Sequence, residues 1–443
     1  MSAPGLIVAA PASGAGKTTV TLGILGALRR RGLRVGSFKI GADYIDAAFH
    51  AAATEGACYN LDSWAMRFET LAGLLEDSGR NRDVLIGEGV MGLFDGATDG
   101  TGSTADIAAL FGLPVLLVVD VSRMGASVAA LVDGFRRHRE DVNVAGVVFN
   151  RVGSAGHADL LARACFEHLS TPLLGSIPRT AELALPSRHL GLVQAAEHPE
   201  IGTFLAAAAD LAAAELDLDR VLRLASPPSV SLLGPDARPL PVLGQRIAVA
   251  RDEAFAFAYP ATLEAWRRHG AELLPFSPLA DQPPDAGADA VYLPGGYPEL
   301  HAGRLAGQGR FLAGLRAAAE RGAFVYGECG GYMVLGERLV DADGAPHAMA
   351  GLLPVATSFV APRLHLGYRE MALAEGCALG RPGAAFRGHE FHYAQETQRQ
   401  GPPLFHARCA RGRELGAQGC RRGHVAGSFL HLIDSAEPRG RGL

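Results

Sequence analysis

Lysine is nearly absent from this 443-residue sequence: of 41 basic residues, only Lys17 and Lys39 are lysine and the rest are arginine. A lysine ammonium is a compact point charge, whereas an arginine guanidinium is a planar fork. A lysine retained in an arginine-rich chain therefore indicates a site that the fork does not fit. Both lysines lie within the first 40 residues, so the sequence favours a function for each of them.

Paired cysteines, excess positive charge and long apolar runs are missing as well. None of the six cysteines belongs to a C-x-x-C pair, which argues against a zinc site or a disulfide scaffold. The formal net charge of −5 argues against a strongly basic nucleic-acid binder. No run reaches the ~18 apolar residues of a membrane span, and residues 1–10 lack the basic leader of a signal peptide. We therefore expect a cytoplasmic protein with no nucleic-acid or membrane partner.

The first half of the chain alternates short apolar runs with helix-like stretches. Continuous apolar runs are typical of strands in a parallel sheet covered on both faces, and such strands are predicted over 6–10, 83–89, 114–120, 144–150 and 172–177. The segment after residue 17 has apolar residues at three- and four-residue spacing and closes on Gly32, which predicts a helix. Alternating strands and helices predict an open α/β sheet.

Five prolines crowd into residues 222–245 and predict a linker. Fresh strands are predicted after it, over 246–252, 288–296, 323–331 and 427–434. The predicted fold class is therefore α/β, with two open, mostly parallel α/β sheet domains. The first domain is expected over 1–221 and the second over 246–443.

A glycine-rich segment at residues 11–19, PASGAGKTT, fits the phosphate-loop pattern G-x-x-x-x-G-K-[ST], except that Pro11 replaces the first glycine. It follows a predicted strand and opens a predicted helix, which is the context that the pattern requires. Backbone N–H groups and the helix dipole would hold phosphate oxygens, while Lys17 would bridge the β- and γ-phosphates and Thr18 would offer its hydroxyl to Mg²⁺. The predicted nucleotide-binding residues here are Gly14, Ala15, Gly16, Lys17, Thr18 and Thr19.

Acidic side chains stand at the ends of several predicted strands, where ligands of open α/β sheets bind. The candidates are Asp43, Asp46, Glu88, Asp95 and Asp120. The pattern favours a function for the first three, whereas for Asp95 and Asp120 a function and a helix cap stay equally open. Asn150, at the end of another strand, suits an adenine edge or a turn equally well.

Residues 327–331, Gly-Glu-Cys-Gly-Gly, follow an apolar strand and match the strand–turn–helix pattern that exposes a nucleophile. The nucleophile would be Cys329, with its pKa lowered at a helix N-terminus. The backbone N–H of Gly330 would form an oxyanion hole with a second donor from Gly295 or Gly296, of which Gly296 is preferred. Among the histidines that follow, His431 is the expected base because it ends the strand-like GSFL; His389 and His392 would shape a substrate pocket or fill the core.

Seven motifs, in order along nearly the whole chain, resemble those of the cobyrinate or hydrogenobyrinate a,c-diamide synthase family. They are PASGAGKTT, KIGADYID, GEGVMGLFDG, LPSRHLGLV (185–193), LPGGYPE, GECGGYM and GHEFHY. The amino-terminal half is similar to the dethiobiotin synthetase group of ATPases, and the carboxyl-terminal half resembles class I glutamine amidotransferases. The resemblance thus implies a phosphate-loop amidoligase domain followed by a glutaminase domain.

The resemblance implies amidation of the a and c acetate carboxylates of a corrinoid acid in cobalamin biosynthesis. Glutamine would be hydrolysed at Cys329, ATP would activate each carboxylate as an acyl phosphate, and ammonia would displace the phosphate. ATP and Mg²⁺ are the implied cofactors, and the corrinoid acid and L-glutamine the implied partners. By resemblance, the metal residues are Thr18, Asp43 and Glu88, the corrinoid residues are Tyr44, Asp46 and Asp95, Lys39 lies near the γ-phosphate and the carboxylate, and Asn150 reads adenine.

One departure from class I amidotransferases concerns the acid that usually stands two residues after the catalytic histidine. Here that position is Ile433, so Asp434 is the candidate for orienting His431. A cobyric acid synthase-type or other tetrapyrrole amidotransferase is the alternative, although KIGADYID argues against it. A ParA-like ATPase switch is a third hypothesis, and the setting of Cys329 argues against that. The presence of cobalt in the substrate, the order of amidation and the oligomeric state stay open, with a homodimer as a candidate.

Overall fold

The computed structural model describes residues 3–180, 183, 187–188, 191–192, 194, 200–229 and 239–436. The chain divides into two compact units. The first unit holds residues 1–64 and 71–236, and the second holds 65–70 and 237–443. A short segment of the amino-terminal half therefore belongs to the carboxyl-terminal unit. No helix in the described ranges is long and apolar enough to cross a membrane.

A seven-stranded sheet forms the centre of the first unit. Its strands are β1 (Gly5–Ala9), β2 (Val35–Ile40), β3 (Cys58–Leu61), β4 (Val84–Gly89), β5 (Val115–Asp120), β6 (Val144–Val152) and β7 (Leu173–Pro178). A separate short pair, β8 (Ser187–Arg188) and β9 (Gly191–Leu192), follows β7 in the chain. The sheet order is β3-β2-β4-β1-β5-β6-β7, and all its neighbouring strands are parallel. Every residue of β1, β2 and β4 is buried, as expected of strands covered on both faces.

Helices connect these parallel strands. They are α1 (Lys17–Arg30), α2 (Ile45–Thr54), α3 (Phe68–Gly79), α4 (Thr104–Phe111), α5 (Val128–Arg137) and α6 (Ala155–His168). Two more helices, α7 (Ile201–Glu215) and α8 (Leu218–Leu224), follow the last strand of the sheet. The predicted α/β alternation is confirmed, and Gly32 takes a left-handed φ of 84° just beyond α1. The predicted linker, 222–245, starts within α8, and its residues 230–238 lie outside the described ranges, as does most of the motif at 185–193.

The second unit contains three sheets. Its strands are β10 (Arg246–Ala250), β11 (Glu272–Phe276), β12 (Ala290–Leu293), β13 (Phe324–Glu328), β14 (Arg338–Val340), β15 (Pro346–Ala348), β16 (Val355–Ser358), β17 (His365–Leu373), β18 (Ala385–His392), β19 (Gln395–Arg399), β20 (Phe405–Cys409), β21 (Glu414–Gln418), β22 (Cys420–Arg422), β23 (Val425–Ser428) and β24 (Leu430–Ala436). Its helices are α9 (Pro260–Arg268), α10 (Ala302–Ala306), α11 (Gly309–Glu320) and α12 (Gly330–Leu335), with 3₁₀ turns at Pro278–Ala280 and Pro298–His301.

A mostly parallel sheet of order β11-β10-β12-β13-β23-β22 forms the core of this unit, with only β22–β23 antiparallel. Apolar clusters pack on it. An antiparallel sheet of order β21-β20-β17-β18-β24 and a four-stranded sheet of order β15-β14-β16-β19 complete the unit. The predicted class, two mostly parallel α/β sheets, is confirmed, but the antiparallel sheet was not foreseen.

The prediction of one strand over 427–434 is wrong. The chain leaves the parallel sheet at Ser428 and enters the antiparallel sheet at Leu430. The Ser428 hydroxyl accepts a hydrogen bond from the Leu430 amide at 3.2 Å, which satisfies a backbone donor where the strand changes sheets. His431 therefore lies on β24 and pairs with His389 of β18, rather than ending the strand beside the nucleophile.

Candidate active sites

The phosphate loop joins β1 to α1 and depends on two glycines. Gly14 and Gly16 have φ values of 78° and 87°, which favour glycine because a side chain would be strained there. The Asn150 amide donates to the Ala15 carbonyl at 2.8 Å, and a Cβ on Gly16 would lie 2.1 Å from that amide nitrogen. Asn150 thus buttresses the loop, and its reading of adenine stays a prediction.

Lys17 is the first residue of α1 and is 5% exposed. Its ammonium lies 3.4 Å from the Ala12 carbonyl of the same loop. Burial lowers the pKa of Lys17, and the nearby positive charge of Lys39 lowers it further, whereas Glu88 acts in the opposite direction. The side chain is therefore a desolvated cation beside the loop, and a phosphate placed there would gain strongly from its charge.

A buried cluster of oppositely charged groups lies at the carboxyl ends of β2 and β4. Lys39 and Glu88 are direct partners in the parallel register, and the Lys39 ammonium lies 2.9 Å from Glu88 Oε1. The same ammonium contacts Asp46 at 2.5 Å and Asp43 at 3.6 Å. Burial opposes the charge of Lys39, but the attraction of Asp46 and Glu88 outweighs it and raises the pKa of the lysine.

Thr18 connects this cluster to the phosphate loop. Its hydroxyl lies 2.7 Å from Glu88 Oε1 and 3.2 Å from Asp46 Oδ2. Sequence reasoning placed Thr18, Lys39, Asp43, Asp46 and Glu88 in one site, and the structure brings all five together. Burial and the Asp46 charge raise the pKa of Asp43 to about 7, although Lys39 opposes the shift.

His50 also belongs to this cluster and was not anticipated from the sequence. It is fully buried on α2, and its Nε2 lies 2.7 Å from Glu88 Oε2, the oxygen not used by Lys39. Burial disfavours the imidazolium, but Cys58 and Glu88 outweigh this and raise the pKa of His50 to about 10. A signal was present, because residues 46 and 50 are four apart and share a helix face.

Two other predicted residues of this unit, Asp95 and Asp120, have local partners. Asp95 accepts a hydrogen bond from the Gly92 amide at 3.0 Å, and its charge acts on Lys17. Asp120 accepts from the Ser122 amide and pairs with Arg151, so it serves the turn after β5. Tyr44 immediately precedes α2, and Thr19 lies in the first turn of α1.

The chain turns sharply at Cys329, between β13 and α12. Cys329 has φ 46° and ψ −104°, a conformation that costs of order 1–3 kcal/mol for a non-glycine residue. A Cβ on Gly327 would lie 2.7 Å from the Gly331 carbonyl carbon, and a Cβ on Gly331 would lie 2.0 Å from the Leu293 carbonyl oxygen. The glycines are therefore required for this elbow, as the sequence predicted.

The predicted low pKa of the Cys329 thiol is wrong for this structure. The residue is 3% exposed, and burial raises its pKa, with the nearby charge of Glu299 adding to the shift. Burial also holds the pKa of His431 well below its usual value, and His389 and His392 lower it further. Both shifts favour the neutral thiol and the neutral imidazole, so a base must take the proton as the thiol reacts.

Gly295 lies between the two residues of this pair. A Cβ there would lie 3.3 Å from the Cys329 Cβ, 3.4 Å from His431 Nε2 and only 2.5 Å from His431 Cε1. Both side chains therefore border the same small space, and the Nε2 edge of the imidazole faces it. The structure brings the predicted nucleophile and base together.

We expect Gly295→Ala to lower glutamine hydrolysis by about 100-fold, because the new methyl group displaces the imidazole that must take the thiol proton. Glutamate release in the presence of glutamine measures this effect. Gly309→Ala is the matched control, since a Cβ at Gly309 meets open space. A Gly295→Ala variant with unchanged hydrolysis would show that the imidazole is not the working base.

The two predicted oxyanion-hole residues also lie side by side. The Gly296 amide nitrogen lies 3.1 Å from the position that a Cβ on Gly330 would occupy. A Cβ on Gly296 itself would lie 2.1 Å from the Ala254 carbonyl oxygen, so only glycine brings this amide to the elbow. Two backbone amides beside a nucleophile are what an oxyanion hole requires.

Asp434 does not orient His431, contrary to the hypothesis from the sequence. Its carboxylate accepts hydrogen bonds from the backbone amide and the guanidinium of Arg67, each at 2.8 Å. The pairing of β24 with β18 shifts register between the two residues, so that His431 lies opposite His389 and Asp434 lies opposite Arg387. Asp434 instead fastens the segment 65–70 within the second unit.

Two histidines of β18 flank the base. The His389 ring stacks on His431 with centroids 4.7 Å apart, and its Nε2 lies 3.0 Å from the Tyr259 hydroxyl. His392 stacks on Phe429 with centroids 3.9 Å apart and lies 2.9 Å from Glu390. Both are buried near the base, as the core role predicts, and a role in the substrate pocket stays a prediction.

Comparison with known proteins matches both units. Residues 6–193 match the CobQ/CobB/MinD/ParA nucleotide binding domain, and residues 246–438 match the CobB/CobQ-like glutamine amidotransferase domain. The hydrogenobyrinate a,c-diamide synthase of Brucella anthropi is 53% identical to this chain over 97% of this chain and 98% of its own length. The chain belongs to the hydrogenobyrinate a,c-diamide synthase family.

Other members of the family are equally similar. The hydrogenobyrinate a,c-diamide synthase of Rhizobium meliloti is 54% identical over 98% of this chain and all of its own length. That of Rhodobacter capsulatus is 53% identical over 97% of this chain and 98% of its own. The predicted family is confirmed, and with it the class of enzyme: a glutamine-hydrolysing carbon–nitrogen ligase with a nucleotide-binding domain.

Proposed function

We propose that this protein uses ATP and glutamine to amidate the a and c acetate carboxylates of hydrogenobyrinate, or of its cobalt-containing counterpart cobyrinate. The observation that carries the proposal is that one chain holds both a Cys329–His431 elbow and a phosphate loop beside the buried Lys39 cluster. The first releases ammonia from an amide, and the second suits the activation of a carboxylate. The proposed corrinoid substrate is taken from the names of the relatives, which are hydrogenobyrinate a,c-diamide synthases.

The glutaminase half-reaction follows from the geometry at the elbow. His431 Nε2 takes the thiol proton as Cys329 Sγ attacks the side-chain amide carbon of glutamine. The Gly296 and Gly330 amides hold the resulting oxyanion. His431 returns the proton to the departing nitrogen, so the C–N bond breaks, ammonia leaves and a thioester remains. Water then hydrolyses the thioester to glutamate and restores the thiol.

The phosphate-loop cluster fits Mg²⁺ by the chemistry of its donors. Carboxylate oxygens of Glu88 and Asp46 lie within 3.2 Å of the Thr18 hydroxyl. Mg²⁺ prefers such oxygen ligands and binds through one or two carboxylates together with substrate phosphates. Thr18, Glu88 and Asp43 would hold it, with Asp46 beside them, and the ion would neutralise charge that develops on the phosphates.

Lys17 and Lys39 supply the positive charge for the ligase half-reaction. A carboxylate oxygen of the corrinoid attacks the γ-phosphorus, the bond to the β-phosphate oxygen breaks, and ADP leaves. Ammonia then attacks the acyl carbon of the acyl phosphate, loses a proton and displaces inorganic phosphate. The carboxylates around Lys39 raise its pKa, which favours the charged ammonium. Lys39 therefore supplies positive charge to the site.

Replacement of Asp46 with asparagine should raise the Mg²⁺ concentration needed for half-maximal amidation by about 10-fold, because a negative charge beside the metal ligands is lost. Amidation driven by ammonium salts and titrated with Mg²⁺ measures the effect. Asp120→Asn is the control, since that carboxylate serves a turn. Unchanged dependence on both Mg²⁺ and corrinoid would remove Asp46 from the site.

The decisive experiment incubates the purified protein with ATP, glutamine and one corrinoid acid at a time, and counts added amides by mass spectrometry. Two added amides are expected on hydrogenobyrinate or on cobyrinate. The acid that is amidated faster is the substrate. A protein that leaves both acids unchanged but amidates the a,c-diamide would instead be a cobyric acid synthase-type enzyme.

A further inference from the structure

We propose that Glu328, the residue before the nucleophile, is the positioning residue that orients His431 and stabilises its protonated form. This inference rests on the proposed glutaminase reaction and adds a residue to it. Glu328 would supply the acid that class I amidotransferases usually place two residues after the histidine, where this chain has Ile433. The orientation of the imidazole and the contacts that hold the Glu328 carboxylate support this role.

The two edges of the His431 ring face different partners. Nε2 and Cε1 face Gly295 and Cys329, as the close approach of a Gly295 Cβ shows. Nδ1 lies 4.0 Å from Glu328 Oε2. Thiol, Nε2, Nδ1 and carboxylate therefore follow the order of a catalytic triad. A gap of 4.0 Å exceeds a hydrogen bond, but such contacts are often long without substrate and tighten as it binds.

The Glu328 carboxylate is fixed by three donors. Oε2 accepts from the Tyr292 hydroxyl at 2.8 Å, and Oε1 accepts from the Tyr326 hydroxyl at 3.0 Å and from the Leu432 amide at 3.2 Å. Leu432 directly follows His431 on β24. The carboxylate is thus attached to the strand that carries the base.

Neighbouring groups are placed for other tasks. The Asp434 carboxylate accepts hydrogen bonds from Arg67, and the side chain of Ile433 has no polar atom. His389 covers the face of the His431 ring in a nearly parallel stack, 3° between planes, so it does not meet the ring edge. Glu328 supplies a carboxylate oxygen toward that edge.

The charge of Glu328 depends on pH near neutrality. Burial raises its pKa to about 7, while Tyr292, Leu432 and Tyr326 partly offset the shift. The titratable groups that face it are Tyr292 from β12, Tyr326 from its own strand, Cys329 next in the chain and His431 from β24, with His389 behind His431. Below about pH 7 the acid is neutral and does not stabilise an imidazolium, whereas above it the carboxylate does.

The test compares Glu328→Gln with the unaltered protein. Glutamine keeps the size of the side chain but loses the charge, so kcat for glutamine hydrolysis should fall by about 100-fold with little change in KM. The rise of kcat/KM with pH near neutrality should disappear. Asp341→Asn is the matched control, because it removes the carboxylate of another carboxylate–histidine pair, Asp341–His347, in the same unit.

Amidation driven by ammonium salts keeps the inference distinct from a folding defect and should be unchanged in Glu328→Gln. If this variant fails to fold, Tyr292→Phe serves instead: it removes one donor to the carboxylate and should shift the ascending limb of the pH profile to higher pH. Hydrolysis within twofold of the unaltered protein, with the same pH profile, would overturn the role of Glu328. Absence of hydrolysis in the unaltered protein would instead contradict the proposed function.

Discussion

Replacing Cys329 with serine should reduce glutamine-dependent amidation by about 10³-fold or more, while amidation from ammonium salts continues. A serine hydroxyl is a far weaker nucleophile than a thiol, and His431 does not make up the difference. Serine is close to cysteine in size and should accept the same strained elbow at φ 46°. The fold and the nucleotide site should therefore remain intact.

Two rates measure this outcome: glutamate release from glutamine, and amide formation with ammonium chloride. Cys420→Ser is the matched control, because Cys420 is a buried thiol of the same unit that donates to the Gln400 carbonyl. It should leave both rates near those of the unaltered protein. Full turnover with glutamine in Cys329→Ser would show that another group is the nucleophile.

Replacing Lys17 with alanine should reduce amidation by about 10³-fold or more with either nitrogen donor, because charge stabilisation at the transferred phosphate is lost. Lys17 lies in the phosphate loop, and its ammonium is largely desolvated. A buried cation interacts with a phosphate more strongly than one in water. Lys17→Ala thus impairs the ligase reaction, whereas Cys329→Ser impairs only the glutaminase reaction. Together the two variants separate the two reactions.

Lys17→Arg sharpens this second test, because a planar guanidinium does not replace a compact ammonium in a closed loop. We expect it to remain as inactive as Lys17→Ala. Arg30→Ala is the control at the other end of α1, where the arginine is exposed and pairs with Asp210. Normal ammonia-dependent rates in Lys17→Ala would refute the role of the loop.

Much of the phosphate-loop site could be predicted because it depends on local pattern and parallel register. The apolar run of β4 predicts that strand, and the parallel pairing of β2 with β4 makes Lys39 and Glu88 direct partners. His50 was missed because a buried histidine on a helix has no motif of its own. Its role appears only when the fold places it beside Glu88 at the end of β4.

The glutaminase site was less predictable because its base depends on a change of sheet. The break at Ser428 moves His431 into the antiparallel sheet, and no apolar pattern marks it. Asp434 was assigned wrongly because its carboxylate binds Arg67, which is distant in the sequence, and Glu328 was overlooked because it lies on another strand, β13. The low thiol pKa expected of Cys329 failed because burial outweighs the local backbone.

The central claim is that one chain couples a thiol-based release of ammonia to an ATP-driven activation of carboxylates. Mass spectrometry of the product formed from amide-¹⁵N glutamine, ATP and hydrogenobyrinate tests it most directly. The account predicts that both new amides carry ¹⁵N and that neither forms when ATP is left out. Unlabelled amides, or labelled amides formed without ATP, would contradict it.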